Sequence, residues 1–289
     1  TEIKILMNNL VEKIEQLKDF FSKKPEVMMA FVFGSYAKGI NIQESDFDVA
    51  IYFKPESKEI EWEGIKFYKD EDKIWGDVEK LVGIKTDLIV LNRAPSALAY
   101  SVISSGIPVI IKDGAFLLRF SLLISSSAEY FNDFVKDFWA IKQRSASLNE
   151  IDQIRLIRLV DFLESEMKDW KNFKILDQKI YETNIPDRRN MERWAENIVN
   201  SSIDMAKIIL ASGGKKIPQT YREILQDLSF VEGFDTEVAE KLSSFARLRN
   251  VLAHEYLDIR FKHLSDLINN AEENYKKLVN FAKKMIQAK

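Results

Sequence analysis

The sequence predicts an α+β domain, a mixed sheet with flanking helices, followed by an all-α up-and-down helical bundle. Three observations predict it. Two apolar runs, 27–33 and 49–53, bracket a Gly-Ser bend and read as buried strands. Two more apolar runs, 86–91 and 109–111, complete a small sheet. After Gly114 only helical periodicity remains.

Each element has its own signal. Ile3, Leu6, Leu10, Ile14, Leu17 and Phe21 recur at three- and four-residue intervals, giving an amphipathic helix over 3–21 that Lys23-Lys24-Pro25 ends. The first strand, the bend at Gly34-Ser35 and the acidic strand follow. Residues 54–70 form a charged excursion, with a small hairpin expected over 60–68. A helix over 71–82 leads through Gly83 into the strand carrying Asp87, and a helix over 96–105 turns at Gly106 into 109–111. In the bundle, helices are expected over 116–142, 151–170, 191–210, 237–256 and 264–287, with a loop over 172–186. Lys112-Asp113-Gly114 marks the boundary, so the expected domains are 1–115 and 118–289.

Composition bounds the chemistry. With 289 residues, 46% hydrophobic and 30% charged, the chain has material for about two globular domains. A net charge of −3 gives no overall attraction to nucleic acid, so any RNA contact must be a local patch. Zero Cys excludes disulfides, thiolate chemistry and cysteine zinc sites, and two His make a His-rich metal site unexpected. The longest uncharged run, 94–111, is interrupted by Pro95, Gly106 and Pro108 and reads as helix, turn and strand rather than a membrane span. The charged N-terminus lacks a signal-peptide core. A cytoplasmic protein without membrane association is expected.

The chemistry concentrates at Gly34-Ser35-Tyr36-Ala37-Lys38-Gly39 and Ser45-Asp46-Phe47-Asp48. Side chains alternate along a strand, so Asp46 and Asp48 share a face while Phe47, Val49 and Ile51 point into the core. Carboxylates roughly 7 Å apart on one strand face can share hard cations. Gly34 admits a phosphate close to the backbone, and Ser35 with nearby N–H groups can donate to it. The plainer alternative is a hairpin whose exposed face happens to be acidic.

These residues resemble the DNA polymerase β-like nucleotidyltransferases, and among them the minimal nucleotidyltransferases. The shared pattern is Gly-Ser, ten residues, then Asp-x-Asp; ten residues separate Ser35 from Asp46. The resemblance implies a third carboxylate on a neighbouring strand, supplied by Asp87 at the head of an apolar run, where burial would be costly without a cation or partner. It also implies Mg2+ (or Mn2+) on Asp46, Asp48 and Asp87, ATP as substrate, Asp87 as base, and Gly34, Ser35 and Lys38 as nucleotide-binding residues. Related chains often carry Arg where Tyr36 and Lys38 stand; Lys38 keeps a positive charge for the triphosphate.

A second constellation lies at Arg247-Leu248-Arg249-Asn250-Val251-Leu252-Ala253-His254-Glu255-Tyr256. At about 100° per residue, Arg249, Asn250 and His254 fall on one arc of roughly 140°. Leu248, Val251 and Leu252 take the other side, so the three polar residues are expected to face outward together. Arg holds phosphates bidentately, and His moves protons near neutral pH. The plain alternative is a helix end whose cations meet the macrodipole. The segment resembles the HEPN family, in the R-x4-H-x-Y form of the HepT-type toxins. That resemblance implies a metal-independent ribonuclease at a two-fold interface: Arg249 on the scissile phosphate, His254 as acid or base, Asn250 orienting them. Tyr256 corresponds to the residue that a partner nucleotidyltransferase modifies with AMP. Five lysines, Lys276, Lys277, Lys283, Lys284 and Lys289, could add an RNA-facing patch or a solvated helix end.

Together the motifs are similar to MntA/HepT-type antitoxin–toxin pairs joined in one chain. The expected partners are a nucleoside triphosphate, an RNA (tRNA or mRNA) at the helical domain, and a second copy of the chain. Two other readings stay open: an aminoglycoside-type nucleotidyltransferase with a helical substrate-binding domain, and a nucleotide-sensing RNA-binding protein.

Overall fold

The structure is a computed structural model that describes residues 2–42, 45–56, 59–254 and 261–288, without the side chains of 2–9, 253–254 and 263. The chain divides into two compact units, Thr1–Phe131 and Asn132–Lys289, and the division falls within one long helix.

The first unit is built on four strands, β1 (Val27–Val32), β2 (Phe47–Phe53), β3 (Thr86–Val90) and β4 (Ile107–Ile111), in the order β3-β2-β1-β4. β1 runs antiparallel to both β2 and β4, whereas β2 and β3 are parallel. The parallel pair needs a crossover, which helix α3 (Glu71–Val82) supplies. β2 is buried on both faces, and its alternation divides the core. Phe47, Val49, Ile51 and Phe53 pack with Leu17 and Phe21 of α1 (Glu2–Ser22) and Ile74, Val78 and Val82 of α3. Ala50 and Tyr52 point the other way, toward Ala99 and Val102 of α4 (Ser96–Ser105) and Phe116 and Phe120 of α5 (Gly114–Arg144).

Between β1 and β2 the Gly-Ser bend is one short helix, α2 (Gly34–Lys38), closed by Gly39 in the left-handed region at φ 67°. The hairpin expected over 60–68 is absent. The described part of the excursion is irregular and held by side chains instead. Tyr52 Oη donates to the Glu61 carbonyl and accepts from its N–H, both at 2.9 Å. Asn92 accepts from the Phe53 N–H and donates to the Phe53 carbonyl and to Glu61. Tyr68 stacks on Phe53 with ring centroids 4.4 Å apart. Aromatic stacking and a buried amide replace the ladder that alternation alone suggested.

Among its described residues the second unit has helices and connecting loops but no strand. α6 (Glu150–Lys168) packs on α9 (Ile185–Ser212) and on α13 (Glu272–Gln287), and α11 (Thr236–His254) packs on α9 and on α10 (Tyr221–Gln226). Residues 172–186 are not the expected loop, for they hold the end of α7 (Trp170–Lys174), α8 (Gln178–Thr183) and the start of α9. Caps explain the difference: Asp177 accepts from the Ile180 N–H, Asn184 from the Asp187 N–H, and Pro186 sits where a helix tolerates it. The expected terminal helix is two, α12 (Phe261–Asn270) and α13, parted at Ala271 after two asparagines that favour helix ends.

A charged ladder ties these helices together. Arg144 and Arg155 bind the fully buried Asp152, Arg155 also binds Asp137, and the buried Lys207 joins Asp137 at 2.8 Å to Asp204 at 2.9 Å. Burial pushes the Asp137 carboxyl up, but hydrogen bonds from Arg155 and Lys207 outweigh it and hold the pKa down to about 2.

Candidate functional site

Asp48 and Asp87 are partners in the register of the parallel β2–β3 pair. Their strands alternate in step, so both carboxylates share a face with Ala50 and Tyr52 on β2 and Ile89 on β3. Asp48 lies directly against the bend. A Cβ on Gly34 would stand 1.9 Å from Asp48 Oδ2, so only a glycine fits there, and its φ of 69° is a second reason. The Phe33 N–H donates to the Asp48 carbonyl at 3.0 Å, which fixes the backbone of the bend against β2. Ser35 is half-buried, and Lys38, four residues after Gly34 on the same side of α2, is exposed.

Burial, then the neighbouring charges of Asp87 and Asp46, raise the Asp48 pKa above the ordinary aspartate range. Asp48 therefore feels the charge of both other acids. Asp46, however, is engaged: Lys85 Nζ is 2.9 Å from its Oδ2. Among the described residues no three Asp, Glu or His side chains are gathered tightly enough to hold a metal ion. The donor set still has the chemistry of a hard-cation site, being all carboxylate, and a divalent ion would relieve the repulsion on Asp48. The expectation that Asp87 would be costly to bury is corrected. Asp87 is exposed near the start of the edge strand β3, although Thr86 beside it is buried.

Sequence reasoning missed how Asp87 is held. Thr86, just before it, turns both backbone groups to the open edge of the sheet, and α3 takes both. The Thr86 N–H donates to Glu79 Oε2 at 3.1 Å, and Trp75 Nε1 donates to the Thr86 carbonyl at 2.6 Å. Trp75 and Glu79 are four residues apart, hence on one helix face. That spacing was visible in the sequence, but nothing local said the face would meet an edge strand.

In the second unit α11 carries Arg249 and Asn250. Arg249 lays its guanidinium over the Tyr221 ring, 4.4 Å from the centroid. Tyr221 in turn meets Phe134 edge-on at 5.5 Å. Asn250 is buried, only 4% exposed, which corrects the expectation that it faces outward with Arg249. The angular argument placed the arc rightly relative to Leu248 and Val251, but α11 is covered on several sides, and those two residues are buried as well. The His254 side chain and all of Tyr256 lie outside the described residues. The expected lysine patch is largely neutralised. Lys276 pairs with Glu272 and Glu273, Lys277 with Asp235, and Lys283 with Glu164. The acids come from other elements or the preceding turn, which a count along the terminal run does not see. Lys289 lies outside the described residues.

Residues 15–115 match the family described as polymerase beta, nucleotidyltransferase, and residues 163–285 match the family described as ribonuclease HepT-like. No curated protein matches the chain. Among solved structures, one described as a toxin-antitoxin with AMP-PNP is 17% identical, covering 44% of this chain and 89% of its own, at a TM-score of 0.32. A mutant of the toxin-antitoxin MntA-HpeT is also 17% identical, covering 43% and 90%, at a TM-score of 0.33. Likeness at that level is too loose to bear on the chemistry. No described helix is long and apolar enough to cross a membrane.

Proposed function

We propose that this chain, which joins a polymerase β-type nucleotidyltransferase domain to a HepT-like domain, transfers AMP from ATP to a protein hydroxyl and carries a ribonuclease site in its second domain. The chain is a nucleotidyltransferase by its first domain; the acceptor, the metal and the second activity are our reading. The observation that carries it is the packing of Asp48 on the bare backbone of Gly34, with Asp87 in register beside it.

On this reading Gly34 and Ser35 receive the phosphates at the start of α2, and Lys38 adds positive charge from the same side. Asp46, Asp48 and Asp87 would hold Mg2+ or Mn2+, which when bound supplies charge neutralisation for the triphosphate and a more acidic acceptor hydroxyl. Asp87, exposed at the sheet edge, takes the acceptor proton as the hydroxyl oxygen bonds to the α-phosphorus. The bond to the bridging oxygen breaks, and pyrophosphate leaves. The proposed acceptor is Tyr256, in the same chain or a second copy. In the second domain Arg249 binds the scissile phosphate, its plane steadied by Tyr221. His254 moves the proton, and Asn250, being buried, acts by fixing the helix face rather than by touching RNA. A homodimer, an RNA substrate and a cytoplasmic setting belong to the same reading.

Incubation with ATP and Mg2+, followed by mass mapping of the Tyr256 peptide, tests the transfer. An AMP adduct that disappears in Asp48→Asn and Tyr256→Phe is expected. ATP consumed with Tyr256 unmodified would move the acceptor elsewhere. RNA cleavage that persists in EDTA and is lost in Arg249→Ala and His254→Ala is expected of the second site; cleavage lost in EDTA alone would overturn it.

A further inference from the structure

Lys85 is the side chain at the first site to which neither the motif nor the mechanism gives a role. Its backbone is fixed, because the Phe47 N–H donates to the Lys85 carbonyl at 2.8 Å and Thr86, the next residue, is held by Glu79 and Trp75. Its side chain is not fixed: it is 74% exposed and, among the described residues, makes one ion pair, with Asp46 Oδ2 at 2.9 Å. An exposed lysine pair of this kind is weak and easily exchanged, since water competes for both partners and the four-carbon stem gives up rotamer freedom. The place it occupies is nevertheless informative. Lys85 puts an ammonium on a carboxylate of the three-acid set, two residues before Asp87, and the charges that act on it are those of Asp46, Asp87 and Glu79.

We propose that Lys85 is the resident counter-ion of the site: it holds Asp46 until a divalent cation and nucleotide enter, and then transfers its ammonium to the polyphosphate. The exchange conserves charge pairing, with the acid passing from lysine to cation and the lysine from acid to phosphate. It makes cation binding weak alone and strong with nucleotide, which is thermodynamic coupling between the two ligands. It also accounts for why the three acids do not stand as a ready ligand set. The inference rests on the assignment of Asp46, Asp48 and Asp87 as the cation-binding acids.

The test is a Mn2+ titration followed by the electron paramagnetic resonance of free Mn2+, with a non-hydrolysable ATP analogue present or absent. The full-length chain is used as wild type, Asp48→Asn, Lys85→Met and Lys85→Arg. Wild type should bind Mn2+ and Asp48→Asn should lose it. Lys85→Met should bind Mn2+ alone about three- to fivefold tighter, the scale of one exposed ion pair. It should bind the analogue with Mn2+ about as many times more weakly, and Lys85→Arg should restore both values toward wild type. Because Lys85 is exposed, an unchanged melting temperature accompanies these shifts. If Asp48→Asn leaves Mn2+ binding unchanged, the assignment of the acids falls. If Asp48→Asn abolishes binding while Lys85→Met lacks either shift, the role of Lys85 alone is overturned.

Discussion

Gly34 and Asp48 share one space: the carboxylate fills the volume where any other residue at position 34 would place its Cβ, 1.9 Å from Oδ2. The bend before the acidic strand is thus shaped by the acid it serves. Gly34→Ala should displace the Asp48 carboxylate and strain a backbone at φ 69°, costing about 2 kcal/mol. Transfer should fall at least about a hundredfold, more than the stability loss explains. Thermal melting beside a nucleotide-transfer assay checks this, and an alanine variant with full activity would refute the contact.

Asp48 costs the free protein stability. Its folded pKa lies above the ordinary aspartate range because of burial, Asp87 and Asp46. A raised carboxylate pKa means that its stabilising contribution is complete below the unfolded pKa and lost as pH rises through the folded one. Asp48→Asn should therefore stabilise the ligand-free chain at pH 7 by up to about 1 kcal/mol after solvent screening, with a higher melting temperature, while abolishing transfer. The gain should vanish toward acid pH. Melting curves at several pH values decide it; a destabilised asparagine variant at pH 7 would contradict the electrostatics.

Trp75 and Glu79 position Asp87 through Thr86, so removing their hydrogen bonds should slow turnover without weakening nucleotide binding. Trp75→Phe deletes the indole N–H that meets the Thr86 carbonyl. A fall in kcat of about tenfold with an ATP KM within about twofold is expected. Equal losses in both would mean that Trp75 touches the nucleotide instead.

Tyr221 steadies Arg249 in the second domain. Tyr221→Phe keeps the ring and should retain RNA cleavage, whereas Tyr221→Leu should lose about fivefold, the scale of one partly exposed cation–π contact. Circular dichroism of both variants separates this from unfolding. Equal cleavage by the leucine variant would remove Tyr221 from the site.

The ion ladder in the bundle should be felt in acid. Asp137 is held to a pKa of about 2, because hydrogen bonds from Arg155 and Lys207 overcome burial. Its contribution is present above the ordinary aspartate range and lost as pH falls toward 2. Asp137→Asn leaves the buried Lys207 with Asp204 as its remaining carboxylate and should cost about 2 kcal/mol at pH 7, less than a fully buried pair because that partner stays and Asp137 is partly exposed. Chemical denaturation at pH 7 and pH 3 measures the difference, which should shrink in acid.

The chain's order of residues determined the strands, the bend and the change to helices after Gly114. All of these follow from local periodicity and from glycine and proline punctuation, which need no partner. Tertiary structure alone decided that β2 and β3 run parallel with Asp48 beside Asp87, that α3 grips the edge at Thr86, and that Lys85 sits on Asp46. It also buried Asn250 and brought acids to the terminal lysines. Those outcomes depend on groups far apart in the chain competing for the same space or charge, and neither spacing nor composition carries that information.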